Sequence, residues 1–94
     1  TRILLFLIDA LSEDPKREYE ILINELRSYK STLPRKKKIV AITKIDTIDD
    51  TRKRELKKIK FGRGIPTHLI SSVSGEGIQE LLDTLWKSLM ELQI

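Results

Sequence analysis

Ile39-Val40-Ala41-Ile42-Thr43-Lys44-Ile45-Asp46 runs apolar for four residues and then turns abruptly polar. An unbroken apolar run of this length suits a strand buried on both faces, the condition found in parallel sheets. Two further runs stand on either side of it. Ile3-Leu4-Leu5-Phe6-Leu7-Ile8 is the more apolar, and Pro66-Thr67-His68-Leu69-Ile70 is weaker. Each gives way to a polar segment: Asp9-Ala10-Leu11-Ser12-Glu13 after the first, Ser71-Ser72-Val73-Ser74-Gly75 after the third.

Helical patterns separate and follow these runs. Asp14-Pro15 is a start signal, Asp as N-cap and Pro at the first helical position. Tyr19, Leu22, Ile23 and Leu26 recur at helical spacing, which predicts a helix to about Leu33, stopped by Pro34. A second, basic helix is predicted from Asp49-Asp50, with Leu56 and Ile59 on one face, ending before Gly62. The third has the strongest stripe, Ile78, Leu81, Leu82, Leu85, Leu89 and Leu92, with Ser74 as its expected N-cap and Trp86 packing beside it. Strand then helix, three times over, predicts an α/β fold of three βα units around a parallel three-stranded sheet. The first two helices are expected on one face and the third on the other. The first strand would lie at an edge, where a long apolar strand is an aggregation hazard. The expectation is that another strand normally covers it, and that the chain by itself self-associates.

Composition narrows the function classes. The 94 residues allow one small domain, and a chain beginning with Thr1 is expected to be an excerpt or processed product. Eighteen Lys+Arg against 14 Asp+Glu give a net charge of +4, compatible with acidic or nucleic-acid partners. With no Cys and one His, disulfides are excluded and a transition-metal site is disfavoured. No apolar run approaches the roughly 18 residues of a membrane-spanning helix, and no signal-peptide pattern is present. The expectation is a cytoplasmic piece of protein with no membrane partner.

Ligands of parallel α/β sheets collect at the carboxyl ends of the strands. There, an Asp at position 46 can offer two carboxylate oxygens side by side. Guanine presents two donors side by side, N1–H and its 2-amino group, whereas adenine has an acceptor at N1 and no 2-amino group. A site built for two such donors rejects a base lacking them by factors on the order of 10⁴. The apolar stem of Lys44 can lie along a base face, and the Thr43 hydroxyl can tie neighbouring loops. In the third segment, a backbone N–H of Ser72 or Val73 can donate to the guanine 6-oxo group, where adenine carries an amino group.

Thr43-Lys44-Ile45-Asp46 resembles the N/T-K-x-D motif of translation-factor-type GTPases, and Ser71-Ser72-Val73-Ser74-Gly75 resembles their S-A-x-x-G motif. Ile8-Asp9, Asp14-Pro15, Tyr19, Glu25-Leu26, Tyr29 and Leu33, with Gly75-Glu76-Gly77-Ile78 and Leu81-Leu82, resemble the Obg family of ribosome-assembly GTPases. The resemblance covers nearly the whole chain. It implies the last three strands of a six-stranded Ras-like domain, the C-terminal half of the P-loop NTPase fold. It implies GTP or GDP as ligand, with Thr43, Lys44, Asp46, Ser71, Ser72 and Val73 at the base. Thr43 stands where Asn is commoner, and Ser72 where Ala is usual. No G-x-x-x-x-G-K-S/T and no Asp-x-x-Gly occurs in these residues. The phosphate loop, the Mg²⁺ ligands and the catalytic apparatus are therefore expected elsewhere in a parent protein, with ribosome or rRNA as its partner. This chain is expected to supply base selection and no hydrolysis.

Other residues carry blander readings. Asp9 reads as a loop or packing residue rather than a catalytic one, and His68 as structural. The basic run Arg35-Lys36-Lys37-Lys38 and the basic helix from Arg52 to Lys60 read first as solvated faces. They also support a rival from another class, a non-catalytic basic module that binds RNA or protein.

Overall fold

The computed structural model describes residues 3–30 and 36–92. Strand β1 (Ile3–Asp9), helix α1 (Pro15–Tyr29), strand β2 (Lys37–Thr43), helix α2 (Asp50–Lys57), strand β3 (Thr67–Leu69) and helix α3 (Ile78–Leu92) follow in that order, with a 3-10 turn at Ile45–Thr47. The strands form one parallel sheet in the order β1-β2-β3. Asp9 is opposite Thr43, and Ile42 is opposite Leu69, so all three strands end at one edge.

Alternation along each strand sends neighbouring side chains to opposite faces. Phe6, Ile8, Val40 and Ile42 pack with Tyr19, Leu22, Ile23 and Leu26 of α1 and with Leu56 of α2. Tyr19 stands edge-on between Phe6 and Phe61, at centroid distances of 5.1 and 5.3 Å. On the other face, Ile39 and Ala41 pack with Ile70 and with Ile78, Leu81 and Leu85 of α3. The expected arrangement, two helices on one face and one on the other, is the one observed. Asp14 and Asp49 cap α1 and α2, their carboxylates accepting from Arg17 N–H at 3.1 Å and Arg52 N–H at 2.8 Å.

Four details differ from the sequence expectation. Helix α1 ends at Tyr29 rather than Leu33, because Lys30 is already extended, with its N–H on the Leu26 carbonyl; Leu33 and Pro34 lie outside the described residues. Ile59 lies beyond α2, although it still packs against the core. Ser74 does not cap α3. Its hydroxyl accepts from Glu76 N–H inside the preceding loop, and Gly77, at φ 75°, leads into the helix. A side chain at Gly77 would place Cβ 1.9 Å from the Leu69 carbonyl oxygen, so only glycine lets α3 start this close to β3. The stripe of α3 also divides. Leu81 is buried with Ile78 and Leu85 packed beside it, while Leu82, Trp86 and Leu89 are exposed. A three-stranded sheet covers one flank of this helix and not the next; the Leu92 side chain lies outside the described residues.

Candidate functional site

The carboxyl ends of the strands bring together Thr43, Lys44 and Asp46 from the segment after β2 with Ser71, Ser72 and Val73 from the loop after β3. The chain leaves β2 sharply. Lys44 has φ 61° and ψ 36°, the single left-handed non-glycine residue among those described. The reversal drives Ile45 into the core, where it is 1% exposed and donates its N–H to the Ile70 carbonyl at 3.2 Å. It leaves Lys44 and Asp46 on the surface on either side of this anchor. Thr47 fixes the turn by donating both its N–H, at 3.0 Å, and its hydroxyl, at 2.6 Å, to the Lys44 carbonyl.

Ser71 is fully buried and joins the two segments. Its hydroxyl donates to Asp46 Oδ1 at 2.7 Å and accepts from Ser74 N–H at 3.1 Å. One carboxylate oxygen of the exposed Asp46 is thereby held in place, and the other accepts from no protein donor among the described residues. The Ser71 N–H donates to the Glu76 carbonyl at 2.9 Å, and the Gly75 N–H to the Ser71 carbonyl at 2.8 Å. With Ser74 and Glu76 N–H also taken up, the loop N–H groups of Ser72, Val73 and Gly77 meet no protein acceptor among the described residues. Val73 is 83% exposed. An oriented carboxylate and free amides at one edge can meet a planar ligand carrying adjacent donors and an acceptor.

Thr43 contributes less than the sequence suggested. Its carbonyl accepts from Ala10 N–H at 2.9 Å, but among the described residues its hydroxyl ties no neighbouring loop. Asp9 contributes more. Its Oδ2 receives the Lys44 ammonium at 3.1 Å, and its Oδ1 receives Leu11 N–H at 2.9 Å. The Leu11 N–H and then the Lys44 ammonium hold the Asp9 carboxyl below its ordinary pKa. The available signal was positional: Asp9 ends a strand next to the strand bearing Lys44.

The basic groups are placed elsewhere. Lys37 and Lys38 begin β2, at the opposite end of the sheet; Lys37 pairs with Glu91 of α3, and Lys38 donates to the Lys36 carbonyl. Lys53 of α2 pairs with Glu76 at 3.4 Å. His68 is partly buried, and its Nε2 has no hydrogen-bond partner among the described residues. No helix among the described residues is long and apolar enough to cross a membrane.

No family model matches the chain. It is 48% identical over 87 residues to the protein named GTPase Obg of Cytophaga hutchinsonii, which covers 93% of this chain and 26% of that protein. It is 44% identical over 87 residues to GTPase Obg of Porphyromonas gingivalis, covering 93% of this chain and 22% of that protein. For GTPase Obg of Flavobacterium johnsoniae the figures are 44% over 91 residues, 94% and 27%. The chain thus spans about a quarter of the length of these relatives. Three parallel strands with helices on both faces, matched at this identity along nearly the whole chain, make it homologous to a segment of the Obg GTPases and part of a Ras-like α/β fold.

Proposed function

We propose that residues 1–94 are the guanine-recognition half of a GTPase domain. Asp46 receives guanine N1–H and the 2-amino group, Ser71 holds that carboxylate, and the N–H of Ser72 or Val73 donates to the 6-oxo group. The Lys44 stem lies along the base. The observation that carries this reading is the 2.7 Å bond from the buried Ser71 hydroxyl to the exposed Asp46. It orients a carboxylate whose second oxygen meets no protein donor among the described residues.

GTP and GDP are the ligands proposed. Hydrolysis, the phosphate cradle and Mg²⁺ belong to the parent protein, whose setting is cytoplasmic and whose partner is the ribosome or its RNA. Among the described residues no group of three or more acidic, His or Cys side chains could hold a metal ion.

The test is base preference. In the native polypeptide, Asp46→Asn should lower the preference for guanine over xanthine nucleotides by a factor on the order of 10². Xanthine carries an acceptor where guanine has its 2-amino group, and an amide can donate to it. An unchanged preference in a binding titration would remove Asp46 from the site. The exposed Arg54, Lys57 and Lys58 favour a second reading, an RNA-binding module. Steeply salt-dependent RNA binding without any guanine response would select it.

A further inference from the structure

We infer that Asp9 is a positioning residue for base binding, acting through Lys44; the inference rests on the guanine-recognition reading. The two charged residues of Thr43-Lys44-Ile45-Asp46 are treated alike by their neighbours. Asp46 is held by Ser71, which follows β3, and Lys44 is held by Asp9, which ends β1. One support ends β1 and the other follows β3, the two strands that flank β2.

Lysine by itself is a poor wall. Its stem has four rotatable bonds and its ammonium is strongly hydrated, so an unrestrained Lys44 would sample many positions over the strand ends. Two contacts restrain it. Thr47 locks the backbone through the Lys44 carbonyl, and Asp9 takes the ammonium at 3.1 Å. Asp9 is itself fixed, because its second oxygen is bound by Leu11 N–H two residues on. With both ends of Lys44 anchored, the methylenes between them are stretched across the strand ends. They form a preorganised apolar surface against which a planar base can lie without ordering the side chain first. The pair is largely in solvent, at 64% and 39% side-chain exposure, and exposed ion pairs contribute little to folding. Its effect therefore falls on binding.

Asp9→Asn separates the two jobs of Asp9, since an amide oxygen still accepts from Leu11 N–H while the ion pair is lost. In the native polypeptide, Asp9→Asn should weaken guanosine diphosphate about three- to fivefold with the thermal midpoint unchanged. Contacts between the Lys44 methylenes and the base, read by intermolecular nuclear Overhauser effects, should fade. The distinguishing measurement uses Lys44→Met, which keeps an apolar stem and removes the ammonium. If Asp9 acts through Lys44, adding Asp9→Asn to Lys44→Met changes nothing further. An equal loss in both backgrounds overturns the inference, as does full affinity in Asp9→Asn. A protein that binds guanosine and adenosine diphosphates equally well before any substitution overturns the base-recognition reading, and this inference with it. If Asp9→Asn fails to fold, raised salt replaces it. Screening the exposed pair should weaken guanosine itself, which is uncharged, in the unsubstituted protein and not in Lys44→Met, and equal salt dependence in the two overturns the inference.

Discussion

The two faces of the sheet draw on alternate residues of the same strands, yet they bury them unequally. Under α1 and α2, Phe6 is 6% and Ile8 is 0% exposed, and the ring of Tyr19 from α1 packs on Phe6 with Phe61, from the loop after α2, behind it. On the face of α3, Leu5 and Leu7 are 40% and 58% exposed, although their β2 neighbours Ile39 and Ala41 are fully buried. The boundary falls between two paired strands. Helix α3 covers the β2 side of the sheet and leaves most of the β1 side open, and on its own flank Leu82, Trp86 and Leu89 are also exposed. Two apolar strips, one on a strand and one on a helix, therefore lack a cover on the α3 side of the sheet. One strand thus carries both residues that close the core and residues that leave apolar surface open.

Truncating one leucine on each face tests whether the two are closed alike. Leu56, at 0% exposure, lies in the closed core, and Leu56→Ala should cost about 2–5 kcal/mol in chemical denaturation. Leu7→Ala should stay within about 0.5 kcal/mol at concentrations where the chain is monomeric. A cost for Leu7→Ala comparable to that of Leu56→Ala would mean that the open face is closed in solution. A smaller effect concerns association. The chain should self-associate through β1 or α3, and Leu7→Lys should shift it toward monomer in light scattering while leaving the far-ultraviolet spectrum unchanged. Monomeric behaviour of the unsubstituted chain at high concentration would contradict the uncovered strips.

The smallest effect is set by His68. Burial lowers its pKa from the ordinary 6.5, partly opposed by the charge of Glu80. The unfolded chain therefore takes up the proton first. The stability that depends on neutral His68 is fully present above pH 6.5 and is lost as pH falls through the lower folded value. His68→Gln should flatten that part of the pH–stability curve, read from thermal midpoints between about pH 5 and 7. An unchanged curve would assign the acid sensitivity to other groups.

The fold was legible because its signals were long and redundant. Three apolar runs and two strong helical periods placed every strand, and the face assignment followed from chain order. What failed were single-residue signals. Ser74 has the residue type of an N-cap, but the Gly75-Glu76-Gly77 step places the start of α3 three residues further on than a Ser74 cap would, a distance that propensity does not encode. The stripe of α3 was read as one surface because periodicity reports which residues are apolar. It does not report how wide a sheet lies beneath them. At the strand ends, sequence brought out Lys44, Asp46 and Ser71 through their spacing. Asp9 was passed over because its partner is 35 residues away, and only the β1–β2 register joins them. The Thr43 hydroxyl was given a tie that no described residue completes.

The backbone of Lys44 has one more consequence. A left-handed conformation costs an ordinary residue roughly 1–2 kcal/mol, and glycine is nearly exempt. Selection for stability alone would place glycine or asparagine at position 44. Any search for hardier variants of this chain should therefore converge on this residue, and each success there would remove the side chain that spans β1 and β2. Under the proposed base-binding role of Lys44, thermal robustness and ligand affinity are opposed at a single codon.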